Sequence, residues 1–251
     1  MLAVLRLLPR DLAESLRFLT RLPLPGPPAM RNPGEALAAF PLAGLVLGLL
    51  LTRLDALLEL TRFPPFTRDV LLVVALVLMT GGLHLDGLMD SCDGLFGGRD
   101  LEQRLSIMRD SRVGGFGVLG AVCALLLKLA FLVALPGDRR AAALIVAPVL
   151  GRWSLVLAAT LFPPARPGGL GALFQRGLTP PRQVVASGAA LLIAALAGGL
   201  PGVLAFLVVS GATWLIGHYV MGKIEGLTGD IYGAICELTE VAALFVLALL
   251  T

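Results

Sequence analysis

Long apolar runs separated by short polar segments make up most of the chain. Each run is close to the roughly 20 residues that an α-helix needs to cross the hydrocarbon core of a membrane. The pattern predicts seven membrane-spanning helices, at about 40–60, 70–85, 113–135, 141–162, 184–200, 203–220 and 231–250. We therefore predict an all-α, polytopic membrane helix bundle that forms a single integral membrane domain over residues 1–251.

The first 22 residues have a different pattern. Leucines recur on one side of a predicted helix, and charged residues fall on the other side, namely Arg6, Arg10, Glu14, Arg17 and Arg21. An amphipathic helix of this kind is suited to lying in the membrane interface. Charges within the apolar stretch also argue against a cleavable signal peptide. An extended linker is predicted next, from Pro23, Pro25, Pro27 and Pro28.

The composition supports the membrane interpretation. Hydrophobic residues make up 57% of the chain and charged residues only 15%, whereas a soluble domain is roughly half apolar and a quarter charged. The lipid bilayer is therefore an expected partner. A net charge of +3, spread along the chain, argues against nucleic acid as a partner. The cysteines have no metal-type spacing and are predicted to be reduced thiols, at Cys92, Cys123 and Cys236.

Three aspartates follow directly on the second apolar run, in HLDGLMDSCDGLFGG. In a helix, the spacing of Asp86, Asp90 and Asp93 places their carboxylates within roughly 60° of one another. Crowded carboxylates repel one another, and such a cluster typically holds divalent cations or shares protons. We predict a metal site at these aspartates. Gly87 and Gly94 would let a phosphorylated ligand approach the backbone closely; a solvated polar helix end is the alternative.

A second motif, MRDSRVGGFG, follows closely. Arg109 and Arg112 flank Asp110, and the planar fork of arginine suits phosphate oxygens. Gly114 and Gly115 open the next apolar run, and a glycine-rich helix start exposes backbone N–H groups at its positive end. The motif therefore predicts an anion site next to the metal site. The alternative is a basic flank that only fixes the topology.

A third motif, EGLTGDIYGAICELTE, opens the last apolar run. A helix there would stack Asp230, Glu237 and Glu240 on one side, as a second metal site or as proton acceptors. An ordinary acidic helix start would explain Asp230 alone. Two cations lie inside apolar runs, where charge is functional by default. We expect Lys128 to form a structural ion pair or to snorkel, and Arg152 to reach a ligand phosphate or an acid of the site.

Alternation of the spans places the amino terminus and the segments 84–112, 163–183 and 221–240 on one side. That side has thirteen basic residues, and the other has five, of which Arg53 lies near the far end of the first span. Because cytoplasmic loops are enriched in Lys and Arg, the more basic side is predicted to be cytoplasmic. The segments 84–117 and 221–240 are then catalytic segments at the cytoplasmic face.

These three motifs, with FLTRLP near the amino terminus and GRW at 151, resemble those of the cobalamin synthase family, the adenosylcobinamide-GDP ribazoletransferases. The resemblance covers nearly the whole chain. It implies a multi-pass enzyme of the bacterial inner membrane that uses Mg²⁺ to join adenosylcobinamide-GDP to α-ribazole or its 5′-phosphate, with release of GMP. An assembly with neighbouring pathway enzymes would explain why water-soluble substrates react at a membrane, and a homo-oligomer is also left open.

The resemblance also suggests roles for the residues. Asp86, Asp90 and Asp93 would bind Mg²⁺ at the pyrophosphate, while Arg109 and Arg112 neutralise phosphate charge. The proton of the attacking hydroxyl would go to Asp230, Glu237, Glu240 or His84. Contacts with substrate are expected from His84, Gly87, Gly94, Asp110, Gly114, Gly115, Arg152, Asp230 and Glu240.

Two other classes share part of the pattern. CDP-alcohol phosphotransferases also set aspartates at helical spacing beside a membrane, but their longer Asp-Gly, Ala-Arg, Gly, Asp, Asp string is not found here. A cation-coupled transporter would need its acids near the middle of the bilayer, whereas these lie at the ends of apolar runs beside arginines and glycines. The sequence therefore favours an enzyme.

Overall fold

The computed structural model of the protein describes residues 2–24 and 33–250. The predicted linker prolines Pro25, Pro27 and Pro28 lie outside these ranges. The described secondary structure is helical, with one isolated bridge between Pro164 and Leu227. The elements are α1 (Leu2–Leu19), a 3₁₀ helix (Pro33–Ala39), α2 (Phe40–Glu59), α3 (Pro65–Thr80), α4 (Leu83–Gly97), α5 (Leu101–Ile107), α6 (Gly115–Ala134), α7 (Gly137–Leu161), α8 (Leu170–Gly177), α9 (Pro180–Ile224) and α10 (Gly229–Leu249).

Five of the described helices are long and apolar enough to cross a membrane. They are α2 together with the 3₁₀ helix, α6, α7, α9 and α10. The helices α3 and α4 meet the same test only as a pair, and they are bent by 89° where they join. The predicted all-α, multi-pass helix bundle is therefore confirmed.

The longest helix, α9, contains two of the predicted spans. Its 45 residues would extend about 68 Å in a straight helix, roughly twice the thickness of the hydrocarbon core. Gly199 has non-helical backbone angles, with φ 57° and ψ −142°. A Cβ atom at Gly202 would collide with the carbonyl oxygen of Ala194, although residues eight apart in a straight helix are about 12 Å apart. The chain therefore folds back at Gly199. With this division and the α3–α4 pair, the count reaches the predicted seven.

Two glycines bend the chain before the predicted end of the second span. Gly81 and Gly82 have φ values of 63° and 71°, in the left-handed region that favours glycine. They stop α3 at Thr80 and redirect the chain into α4. The backbone N–H of Arg21, just after α1, donates to the Met79 carbonyl oxygen over 2.7 Å, so the end of α1 is held at this bend.

The predicted amphipathic helix is present as α1, but its apolar stripe meets two environments. Leu16 and Leu19 are buried in the bundle, whereas Leu5 is exposed. The Ser15 hydroxyl donates to the Ala36 carbonyl oxygen in the 3₁₀ helix over 3.0 Å. The second half of α1 is thus part of the bundle, and its interfacial position remains a prediction.

The helix α7 is the centre of the bundle, where it packs against α2, α9 and α10. Of its residues, Leu150 and Val149 are fully buried. The helix α10 also packs on α4, which joins the acidic segment to this core. The three cysteines are free thiols, as predicted.

The bend gives a first testable prediction. Replacing Gly82 with alanine should lower the free energy of unfolding by about 1–2 kcal/mol, because a left-handed backbone strains a residue with a Cβ atom. No heavy atom lies within 4 Å of that Cβ position, so the loss would measure strain alone. Thermal unfolding in detergent would test this. Gly188→Ala, in α9 and equally open, is the control, and an equal loss there would refute the explanation.

Candidate active site

The three aspartates of α4 have different surroundings. Asp86 is exposed, Asp90 is half-buried and Asp93 is 8% exposed. The carboxylate of Asp90 lies within electrostatic range of Asp86, Asp93 and also Asp230 from α10. The structure therefore brings the predicted aspartates of α4 together with one acid of the third motif.

Asp93 is held by the start of α6. Its two carboxylate oxygens accept hydrogen bonds of 2.8 Å from the backbone N–H groups of Gly114 and Gly117. A Cβ atom at Gly114 would collide with this carboxylate. The Gly114 N–H group, which was predicted to bind a ligand anion, is thus bonded to a carboxylate of the protein itself. Gly115 has no neighbour within 4 Å of its Cβ position.

Asp230 reaches α4 because two glycines allow α4 and α10 to cross closely. A Cβ atom at Gly87 would lie 2.8 Å from the Asp230 carbonyl oxygen and 3.2 Å from the Gly233 Cα atom. Gly94 is likewise covered, by the Met108 side chain. Of the two glycines predicted to approach a ligand, Gly94 is covered by a side chain of the protein, whereas Gly87 also lines a cavity that is described below.

The other two acids of the third motif are separated from Asp230. Glu237 and Glu240 are 6% and 1% exposed. Glu237 accepts a hydrogen bond of 2.5 Å from Lys128, and Glu240 pairs with both Lys128 and Arg152. These four residues, which we call the buried ion network, join α6, α7 and α10. The expectation of a structural ion pair at Lys128 is therefore confirmed.

The spacing of Asp230, Glu237 and Glu240 predicted that they share a helix face, but it did not predict how deep each lies in the bundle. Glu237 and Glu240 come seven and ten residues after Asp230 and lie about 10 and 15 Å further along the helix axis. A shared helix face therefore did not place them at the same level of the bundle. Arg152 was expected to reach either a ligand phosphate or an acid of the site. It pairs with an acid, Glu240, within the buried ion network.

Two arginines lie on the other side of Asp230. Arg109 and Arg166 line a cavity of about 240 Å³, together with Thr228 and Asp230. Burial and the nearby Arg109 cation lower the pKa of Arg166. The Arg166 Nε atom is buried, and no described residue accepts a hydrogen bond from it. This cavity, which we call the arginine cavity, thus combines two cations with one carboxylate.

Arg166 is a site residue that lies outside the three sequence motifs. Two backbone hydrogen bonds hold its loop against the start of α10, from Ala165 N–H to the Leu227 carbonyl oxygen (3.0 Å) and from Leu227 N–H to the Pro163 carbonyl oxygen (2.9 Å). The sequence could have indicated Arg166 only as an arginine in a loop rich in proline and glycine, on the same predicted side as the three motifs.

Arg112, the second arginine of the MRDSRVGGFG motif, lies away from the arginine cavity. Arg112 is 88% exposed and forms a two-pronged ion pair with Asp110, with its Nη2 atom 2.6 Å from Oδ2. This pairing lowers the pKa of Asp110 to about 2. Neither residue lines the arginine cavity. The structure thus places Arg109, but not Arg112 or Asp110, beside Asp230.

A second cavity, of about 160 Å³, adjoins the first. His84, Asp86, Gly87 and Asp230 line it together with Tyr232 and several apolar side chains from α1, α7 and α8. We call it the aromatic cavity because Phe18 and Phe174 also form part of its wall. Asp230 belongs to both cavities, so carboxylates and arginines meet where the two cavities adjoin.

The donor set suits a hard cation, because carboxylate oxygens are the ligands that Mg²⁺ prefers in proteins. Within the described ranges, however, no three His, Cys, Asp or Glu side chains are grouped closely enough to hold one ion. Mg²⁺ is commonly bound by one or two carboxylates that share it with substrate phosphates and water. Asp86 and Asp90 have the chemistry for a site of that kind, which phosphate oxygens and water would complete.

The fold and the site define a multi-pass membrane protein equipped for chemistry on a phosphorylated ligand. The profile of the family described as cobalamin-5-phosphate synthase matches residues 11–248, and the chain belongs to this family. The resemblance found in the sequence motifs is therefore confirmed.

Relatives from several bacteria are similar over most of their length. A protein of Roseiflexus sp. (strain RS-1) is 45% identical over 95% of this chain and 89% of its own length. Proteins of Desulforamulus reducens and Herpetosiphon aurantiacus are each 40% identical, over 86% and 96% of this chain and 86% and 97% of their own lengths. All three are named adenosylcobinamide-GDP ribazoletransferase. No solved structure matches the chain.

Proposed function

We propose that the protein transfers the adenosylcobinamide phosphate group from adenosylcobinamide-GDP to α-ribazole or its 5′-phosphate and releases GMP. The relatives are named for this transfer. The observation that supports it most directly is the position of Asp230 in the wall between two cavities. It has Asp86 beside it in one cavity, and Arg109 and Arg166 in the other.

Arg109, Arg166 and Asp230 have separate roles in the proposed transfer. The ribazole hydroxyl oxygen forms a bond to the phosphorus on the cobinamide side, and the bond from that phosphorus to the oxygen of GMP breaks. Arg109 and Arg166 neutralise charge on the transferred and departing phosphates. Asp230 accepts the hydroxyl proton, since it is half-buried at the cavities whereas Glu237 and Glu240 already bind buried cations.

Mg²⁺ is proposed as the cofactor. Asp86 and Asp90 would hold it, and Asp93 would keep α4 and α6 in register beside them through its bonds to Gly114 and Gly117. When bound, the ion would neutralise negative charge on the pyrophosphate. The aspartates would hold the ion, and Arg109 and Arg166 would neutralise charge on the same phosphates from the arginine cavity.

We propose that this end of the bundle faces the cytoplasm, with the protein in the bacterial inner membrane. The support is the excess of basic residues in the loops on this side, because such loops remain cytoplasmic. Nucleotides are also found in that compartment. An assembly with other enzymes of the pathway is part of the proposal, and pull-down from native membranes would test it.

The proposed reaction can be tested by measuring GMP. Protein held in nanodiscs would be supplied with adenosylcobinamide-GDP and α-ribazole, with and without Mg²⁺. We expect GMP release that requires both substrates and the metal ion. Absence of release from demonstrably folded protein would refute the proposed reaction, and release without α-ribazole would show a hydrolase instead.

Arg166 provides a prediction specific to the structure. Arg166→Ala should lower kcat/KM about 100-fold, because it removes a charged donor from the phosphate site. Arg99→Ala is the matched control, since Arg99 is exposed and lines neither cavity. Arg112→Ala should cause a smaller loss than Arg166→Ala. The reverse order, measured by GMP release, would favour the motif-based assignment over the one given by the structure.

A further inference from the structure

The aromatic cavity contains polar groups that the proposed phosphoryl transfer does not use. His84 is 3% exposed and Tyr232 is 1% exposed, and both line the cavity. Both ring nitrogens of His84 and the hydroxyl of Tyr232 are buried, and no described residue forms a hydrogen bond with them. Buried polar groups in native proteins are nearly always paired. Two such side chains on the wall of one cavity are suited to pair with a ligand, although the His84 ring also lies within electrostatic range of Arg152 and Glu240 in the buried ion network.

The rest of the wall is suited to a flat, largely apolar ligand. Phe174 packs edge-on against Phe18 and Tyr232, with ring centroids 6.0 and 5.1 Å apart. Aromatic rings favour contact with other aromatic rings in such offset or edge-on arrangements. A cavity of about 150 Å³ can hold one aromatic ring such as benzene, and this one has about 160 Å³ and is not fully enclosed.

The position of the cavity restricts which part of the substrates it can hold. Asp86 and Asp230 form its polar end, so a ligand bound among the rings would have its other end at the acids. The corrin ring is far too large for this volume. Guanine carries several donors and acceptors along its edge, more than His84 and Tyr232 can pair while Asp86 and Asp230 take part in the transfer. The base of ribazole is a fused aromatic heterocycle with a single unsubstituted ring nitrogen.

We propose that the aromatic cavity binds the heteroaromatic base of the acceptor nucleoside, with His84 and Tyr232 as its hydrogen-bonding residues. This inference rests on the proposed function and adds the acceptor site to it. One of the two residues donates to the free ring nitrogen, and the other bonds to a hydroxyl of the ribose. The attacking hydroxyl then lies beside Asp230, at the opening to the arginine cavity.

The composition of the chain provides matched variants for a test. It has two tyrosines and two histidines, and one of each lines the cavity. The others, Tyr219 and His218, are exposed on α9. Tyr232→Phe removes only a hydroxyl that has no partner in the protein, so it should fold normally. Tyr219→Phe makes the same chemical change away from the cavity.

Two measurements would be made on the full-length protein in nanodiscs. The first is binding of α-ribazole alone, by equilibrium dialysis without adenosylcobinamide-GDP. The second is GMP release, from which KM is obtained separately for each substrate. We expect Tyr232→Phe to weaken α-ribazole binding and raise its KM about three- to tenfold, as loss of one hydrogen bond would. The KM for adenosylcobinamide-GDP should not change.

His84→Ala should raise the KM for α-ribazole about tenfold or more, because it removes packing as well as a hydrogen bond. His218→Ala and Tyr219→Phe should match the wild type. An effect of His84→Ala on kcat alone would identify a proton-transfer residue and overturn the binding role. A rise in the KM for adenosylcobinamide-GDP instead would assign the cavity to the donor and also overturn the inference.

The proposed function and the acceptor site can fail separately. Wild-type protein that binds α-ribazole through Tyr232 but releases no GMP would refute the transfer and leave the site standing. Protein that releases GMP normally, with unchanged α-ribazole binding and KM in Tyr232→Phe and His84→Ala, would refute the site and leave the transfer standing.

Discussion

Replacing Glu240 with glutamine is expected to lower the free energy of unfolding by about 3–5 kcal/mol, because it breaks a buried ion pair and leaves its partners uncompensated. Glu240 is bound to both Lys128 and Arg152, which are themselves 3% and 1% exposed. After the change, only the Glu237 carboxylate would remain to offset two buried cations.

The order of effects within the buried ion network is a stricter test. Among the described residues, Glu237 forms an ion pair with Lys128 alone, so Glu237→Gln should destabilise the protein less than Glu240→Gln. Glu102→Gln, at an exposed position of α5, should have almost no effect. Thermal and denaturant unfolding in detergent would measure all three. Equal stabilities for Glu240→Gln and Glu102→Gln would show that the network does not stabilise the fold.

The same variants distinguish a structural role from a catalytic one. If Glu237 belongs only to the network, Glu237→Gln should keep most of its GMP release per folded molecule at a temperature where it is folded. A complete loss of turnover with normal stability would restore the motif-based assignment of Glu237 as a catalytic residue.

The second large effect is expected at Asp86. Asp86→Asn keeps the shape of the side chain but removes its charge, and kcat/KM should fall about 100- to 1,000-fold, as it does when a key electrostatic group is lost from an active site. The Mg²⁺ concentration needed for half-maximal rate should rise. Stability should hardly change, because Asp86 is exposed. Asp138→Asn, at an exposed position at the start of α7, is the control.

Comparison with Asp93 separates two roles that one motif suggested. Asp93→Asn should also reduce activity, but it should lower the free energy of unfolding by about 1–2 kcal/mol, as loss of a helix cap does. Asp86→Asn should not. If both variants were equally stable and equally dependent on Mg²⁺, the two aspartates would be equivalent ligands, and the capping role of Asp93 would be unimportant.

The sequence predicted the parts of the fold that depend on one helix at a time. Apolar runs of membrane length located α2, α6, α7 and α10, because a helix that meets lipid needs apolar residues over its whole length. The four- and seven-residue spacing likewise placed Asp86, Asp90 and Asp93 on one helix. Such features follow from local geometry and need no knowledge of neighbouring helices.

The missed features all depend on contacts between distant segments. Arg166 enters the site only because its loop pairs with Leu227, and nothing within the loop specifies that pairing. The spacing of α4 predicted a metal ligand at Asp93, and it could not show the bond to Gly117, because that bond joins two helices. Charge spacing could not reveal that Lys128 lies opposite Glu237. The motifs identified most of the reactive groups, but tertiary packing decides which of them face a substrate.

The lengths of the turns give the two ends of the bundle different characters. On the end opposite the site, the helices are joined by residues 60–64, by residues 135–136 and by the reversal at Gly199. On the site end, the connections include the whole of α5 and α8. Nearly all of the described chain outside the long helices therefore lies on one end. In the described part of the chain, a water-soluble molecule arriving from the opposite side would meet little more than helix ends and short turns.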